Sequence, residues 1–100
     1  MDVSKLIARC TGFDWDKGNQ AKIWDRHRVS PEECEQAFLD QFLYAMPNGE
    51  HTTVAEDRFK IFGQTLAGRH LSVIFTVRGD LIRVISARDM NRRERRMFFK

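Results

Sequence analysis

Leu71-Ser72-Val73-Ile74-Phe75-Thr76-Val77-Arg78-Gly79-Asp80-Leu81-Ile82-Arg83-Val84-Ile85-Ser86-Ala87 reads as two strands joined by a tight turn. β-Branched and aromatic residues fill both arms, and Gly79-Asp80 supplies the turn chemistry. Immediately upstream, residues 58–65 form another apolar arm that stops before a turn at Ala67-Gly68. Links this short force antiparallel neighbours, because a parallel crossover needs roughly a dozen residues or more. The expectation is a three-stranded antiparallel meander over 58–65, 71–77 and 81–87.

Helix signals lie on both sides of the meander. Asp2 to Arg9 suits a short helix and, with Thr11-Gly12, forms an N-terminal extension over residues 1–12. Phe13-Asp14-Trp15 reads as a brief extended piece. From Gly18 to His27, a projection at ~100° per residue gathers Gln20, Ala21, Ile23, Trp24 and His27 into one stripe, which predicts the buried face. Ser30-Pro31-Glu32-Glu33 is a strong start for the next helix. Ser30 can cap, Pro31 fits the first helical position, and Glu33 completes a capping box. That helix should bury Cys34, Ala37 and Phe38. Residues 42–46 look extended, Pro47-Asn48-Gly49 turns, and residues 50–56 read as polar loop. A last helix opens near Asn91, with Glu94 at the capping-box spacing. The pattern predicts one compact α+β domain over 1–100, N-terminal helices preceding a β-meander and a C-terminal helix.

Composition narrows the function classes. At 100 residues, 42% hydrophobic and 31% charged, with 2 Pro and 6 Gly, the chain is globular and too short for a second core. No apolar run approaches the ~20 residues that span a bilayer, and Met1-Asp2-Val3 lacks the basic start of a secretion signal. Cys10 and Cys34 are too few for a disulfide framework. A cytoplasmic protein with no membrane partner is expected. The net charge of +3 hides a segregation: residues 31–57 hold seven acids and no Lys or Arg, whereas residues 83–100 hold seven bases against Asp89 and Glu94. A concentrated basic end suits a polyanion, and it is equally the pattern of a solvated helix face.

Two geometric points sharpen this. On the last strand Leu81, Arg83 and Ile85 share one face, while Ile82, Val84 and Ser86 take the other with Arg88 to follow. Arg83 and Arg88 therefore share a face only if a bulge intervenes or the strand ends early. An arginine between Leu81 and Ile85 needs an anionic partner or ligand, or snorkels to the edge. On the final helix Arg92, Arg93, Arg95, Arg96 and Lys100 spread over one side, Met97 and Phe98 mark the other, and Glu94 between them is aimed at the body, with Arg83 or Arg88 as its cationic neighbour.

Metal ligation finds no support in the sequence, since His27, His51 and His70 stand far apart and no Cys/His cluster exists. No glycine-rich phosphate loop and no nucleophile elbow occur. Arginines, a few acids and His27 remain. That set fits metal-free phosphodiester cleavage by a neighbouring 2′-OH, which needs a base, cations for developing charge and an acid for the leaving oxygen. Non-enzymatic RNA-binding domains share the same set.

Phe13-Asp14-Trp15-Asp16-Lys17-Gly18-Asn19, Lys22, Arg26-His27 with Val29-Ser30, Glu56-Asp57-Arg58-Phe59, Ile82-Arg83-Val84-Ile85-Ser86-Ala87-Arg88 and Arg92-Arg93-Glu94-Arg95 together resemble BrnT-type toxins over roughly residues 13–97. The resemblance implies a RelE-like fold and the toxin half of a bacterial type II toxin–antitoxin pair. It further implies metal-independent RNA cleavage that halts translation, with no cofactor. The implied partners are an RNA substrate and a BrnA-like antitoxin whose DNA-binding module brings the complex to promoter DNA. Carried over residue by residue, the implied catalytic set is His27, Arg58, Arg83, Arg88 and Glu94, with phosphate contacts assigned to the three arginines. Lys22, Arg92, Arg93, Arg95 and Arg96 are the expected RNA-binding residues.

The chain departs from the family pattern at Arg28, where glycine is usual, at Ile23, where asparagine is often found, and at Phe98-Phe99 in place of Tyr-Glu. The last departure supports a second reading, a catalytically impaired relative that persists as an antitoxin-bound, nucleic-acid-binding subunit. A third is a structural α+β protein whose arginines serve solubility.

Overall fold

The computed structural model describes residues 2–49 and 56–98. His51, Phe99, Lys100 and all of the 50–56 loop except Glu56 lie outside them. Element order is α1 (Val3–Ala8), β1 (Gly12–Phe13), α2 (Lys17–His27), α3 (Pro31–Phe38), β2 (Tyr44–Pro47), β3 (Phe59–Gln64), β4 (His70–Arg78), β5 (Leu81–Asp89) and α4 (Arg92–Phe98).

The meander forms as expected, but among the described residues the sheet has five strands, in the order β1-β5-β4-β3-β2. The extended piece before Pro47 joins it as β2, antiparallel to β3 with Tyr44 opposite Phe62. β1 lies parallel to β5, Gly12 against Leu81 and Phe13 against Ile82. A two-residue strand carries no periodicity of its own, so this pairing could not be read locally.

Strand alternation sets one face against the helices. Phe59, Ile61, Val73, Phe75, Ile82, Val84 and Ala87 meet Ile23, Val29, Cys34, Ala37 and Phe38 in one core. Phe38 crosses Phe75 edge-on, their centroids 5.0 Å apart. A Cβ on Gly63 would overlap the Ala37 carbonyl, so glycine lets α3 lie directly on β3. At the end of this layer α1 buries Val3, with Leu6, Ile7 and Cys10 packed against the core. α3 begins as its sequence dictates, Ser30 Oγ accepting from Glu33 N and Glu33 Oε1 accepting from Ser30 N.

The stripe expected on α2 is not its buried face. Ile23 is buried, but Gln20, Ala21, Trp24 and His27 are exposed, and the other buried residue is Asn19. β1 covers only the start of β5, so beyond Ile82 the strand edge lies against α2. Asn19 Nδ2 donates there to Val84 O at 3.3 Å and to Asp14 O at 3.0 Å. A polar side chain faces inward because open backbone carbonyls need donors. α2 ends at Arg28, whose left-handed backbone (φ 54°) explains why glycine suits this position.

α4 crosses the opposite face of the sheet. Phe98 is anchored there between Tyr44 and Phe62, both at 4.7 Å, while Met97, expected to pack, is exposed.

Candidate functional site

β5 contains a bulge, one of the two ways in which Arg83 and Arg88 could come to share a face. Ile74 faces Ser86, but Phe75 faces Val84, leaving Ile85 as the extra residue. Arg83 therefore lies opposite Thr76 and Arg88 opposite Ser72, four residues apart on β4 and thus on one face, the one away from the helical core. At ~3.3 Å per residue, about 15 Å of strand separates the two arginines.

At the Arg83 end a hollow of about 380 Å³ opens between the first turns of α2, the start of β3 and the β4–β5 turn. Lys22, Arg58, Arg78 and Arg83 supply four cations to its lining, against the carboxylates of Asp16 and Glu56, with Val84 and Ile85 as apolar wall. Arg83 Nη2 donates to Asp16 Oδ2 at 2.8 Å, and its Nη1 lies 3.5 Å from Asp14 Oδ1. Asp16 also caps α2, its Oδ1 accepting from Asn19 N at 2.9 Å. The Asn19 amide first, then Arg83, hold the Asp16 carboxyl below the usual range. Glu56 lies between two guanidinium groups, 3.4 Å from Arg58 and 3.6 Å from Arg78.

Arg88 is held differently. It donates twice to Glu94, at 2.8 and 3.0 Å, and Glu94 also accepts from Asn91 N at 2.9 Å in the expected capping box. These bonds, Arg88's foremost, keep the Glu94 carboxyl below its ordinary value. A carboxylate so held is fully ionised at neutral pH and has no proton to give. Arg92, Arg95 and Arg96 line a second, open hollow beside His70, and Arg93 is exposed outside it.

His27 lines neither hollow. It is exposed at the end of α2, and its carbonyl accepts from Arg69 Nη2 at 3.0 Å. Arg69, which the sequence reading passed over, is the structural hub of this corner. Its side chain also bonds Arg28 O, Glu33 and both carboxylate oxygens of Asp89. The side-chain hydrogen bond to Asp89 chiefly raises its already high pKa. Arg78 and Glu56 were missed because they were read as a strand end and a polar loop; what marks them is tertiary convergence on Arg58. The thiols stand apart from this chemistry. Burial, helped by Glu33 and Glu35, pushes Cys34 up to about 12, beyond useful thiolate formation at neutral pH. Among the described residues no helix is long and apolar enough to cross a membrane.

The model of the family described as the ribonuclease toxin, BrnT, of type II toxin–antitoxin systems matches residues 15–94. Among solved structures, the 1.1 Å crystal structure of the Brucella abortus ribonuclease toxin BrnT matches with a TM-score of 0.59 at 21% identity. The match covers 82% of this chain and 99% of that one. At this identity the likeness is one of fold. No curated protein matches the chain.

Proposed function

Because the chain belongs to the BrnT family of ribonuclease toxins from type II toxin–antitoxin systems, we propose that it cleaves RNA without a metal ion at the Arg83 hollow and is silenced by a cognate antitoxin that covers this basic face. One observation carries the reading: Lys22, Arg58 and Arg83, from three distant segments, line one concavity. Attack of a 2′-OH on phosphorus concentrates negative charge on the phosphoryl oxygens. Fixed guanidinium forks meet that charge in paired, planar contacts, each typically worth on the order of 10²–10³ in rate. The first turn of α2 borders the hollow, and its dipole adds positive potential.

Arg83 and Arg58 hold the scissile phosphate, with Lys22 beside them. Arg92, Arg95 and Arg96 steer flanking phosphates, and Arg93 adds to their field. Arg88 and Glu94 act as a pair that fixes α4 over the sheet; His27 is assigned no proton transfer. The antitoxin is a BrnA-like protein offering acidic and apolar groups, and its DNA-binding module carries the complex to promoter DNA. Phe98 anchors α4 between Tyr44 and Phe62, a contact common to the active toxin and the impaired relative.

The test is induced expression with and without the product of the adjoining gene, together with RNA cleavage by the purified chain in excess EDTA. Growth arrest relieved by the neighbour, with cleavage undiminished by EDTA, is the expected result. Co-purification without arrest would establish the impaired relative instead, and loss of cleavage in EDTA would remove metal independence.

A further inference from the structure

Resting on that reading, we infer that Lys60 holds the phosphate of a nucleotide flanking the cut, on a strip of sheet between the Arg83 hollow and α4. Register fixes its place. Lys60 pairs with Met46 on β2 and Ile74 on β4, and Ile74 pairs with Ser86 on β5, so the four form one row. Alternation turns Lys60 away from the core that Phe59 and Ile61 enter, onto the face that carries Arg83 and Arg88. Along β4 the order is Thr76 opposite Arg83, Ile74 in the Lys60 row, Ser72 opposite Arg88, and His70 in the second hollow. The Lys60 row therefore lies about 6.6 Å along the strand from the rows of both arginines. A strand of RNA running from the first hollow to the second crosses it.

Cover separates this row from the next. Phe62 and Ser72, in the row of Arg88, are buried where α4 seats Phe98 against Phe62. Met46, Lys60, Ile74 and Ser86 are all half-buried, an apolar floor with a lysine rising from it. Lys60 Nζ leans to 5.7 Å from the Phe62 ring centroid, and among the described residues it enters no ion pair. Arg69, Arg83 and Arg88 each meet a carboxylate; this ammonium has its charge to offer. A cationic track for the backbone beside an apolar surface for the bases is the usual form of a single-strand site. The flexible stem lets the ammonium swing to the phosphate, while Met46 and Ile74 meet the face of a base. Lys60 also acts through space on Glu94, whose carboxyl the Arg88 bonds chiefly hold low, so fastening of α4 is the competing role.

The experiment compares the purified full chain with its Lys60→Met and Lys60→Arg variants. Methionine keeps an apolar stem and removes the charge; arginine restores it. Affinity is measured across a salt series for a short RNA with 2′-deoxyribose at the cut nucleotide, which binds without being cleaved. Lys60→Met should flatten the slope of log affinity against log salt by about 0.7, one phosphate contact fewer, and Lys60→Arg should restore it. Single-turnover cleavage at saturation should stay within about threefold in both variants. Replacing each flanking phosphate in turn by an uncharged methylphosphonate then locates the contact: at one linkage the unsubstituted chain and Lys60→Met should bind alike. An unchanged salt slope, or a deficit that persists at every linkage, would overturn the subsite and leave the function standing. An unchanged slope with a lowered unfolding midpoint would make Lys60 a support for Glu94 instead. An unsubstituted chain that cleaves no RNA would overturn the function, and the subsite with it.

Discussion

Arg83 and Arg88 leave β5 on the same face, and each meets a carboxylate at 2.8 Å. Asp16, which holds Arg83, is 54% exposed at the rim of a hollow shared with three other cations. Glu94, which holds Arg88, is 16% exposed in the first turn of α4 and bonded by both oxygens. The guanidinium groups themselves run the other way, Arg83 being 18% exposed and Arg88 37%, so the difference lies in the counter-ion: an open carboxylate at a shared rim for Arg83, a covered carboxylate bonded through both oxygens for Arg88. Arginine on a particular face is therefore insufficient to mark a site, and the surroundings of its counter-ion decide between ligand and scaffold.

The largest effect should come from exchanging the two arginines for alanine. Arg83→Ala should lower RNA cleavage roughly 10²–10³-fold with little change in unfolding midpoint. Arg88→Ala should cost only about tenfold or less in cleavage. Its loss should appear as about 1–2 kcal/mol of stability, between the values for a surface and a buried pair. Equal loss of cleavage in both variants would erase the distinction between the two ends of β5.

How much of this was legible from the sequence follows the same division. α3 could be read residue by residue, because Ser30, Pro31 and Glu33 act within one turn and Cys34, Ala37 and Phe38 are all buried. α2 misled, because its inward contact is Asn19 serving a strand edge, whereas Trp24 is 47% exposed. The spacing of Arg83 and Arg88 raised the question of a bulge, and only the register across β4 answered it. Among the hollow's residues, Lys22, Arg58 and Arg83 were named beforehand through family resemblance. Arg78 and Glu56 also belong to stretches that carry the resemblance but receive no site role from it, since a strand-end arginine and a loop glutamate look ordinary until the chain folds them together.

Acid separates the two ends next. The Glu94 carboxyl is depressed in the fold, so it contributes stability that is fully present above its ordinary value near ~4.3 and lost as pH falls through its lowered folded value. Unfolding midpoints of the unsubstituted chain and Glu94→Gln should differ at pH 7 and converge below about pH 4. A gap that persists in acid would mean that the pair contributes through packing rather than charge.

The smallest effect concerns α2, whose opposite ends border the hollow and the Arg69 corner. Arg28→Gly relieves a left-handed backbone at a cost of about 1 kcal/mol, offset in part by losing the Arg28 contact over the Trp24 ring, about 0.5 kcal/mol. Thermal unfolding should show a net gain of about 0.5 kcal/mol, with cleavage unchanged. A change in cleavage would mean that the helix transmits strain from one end to the other.

Parallel pairing of Gly12-Phe13 with Leu81-Ile82 also joins segments that lie far apart along the chain. The residue that Asp16 holds is Arg83, so Asp16 and Lys22 are translated long before the partner that completes their hollow. Such distant contacts are the slowest to form in a folding chain. A polypeptide that has not yet reached Arg83 therefore lacks the completed hollow.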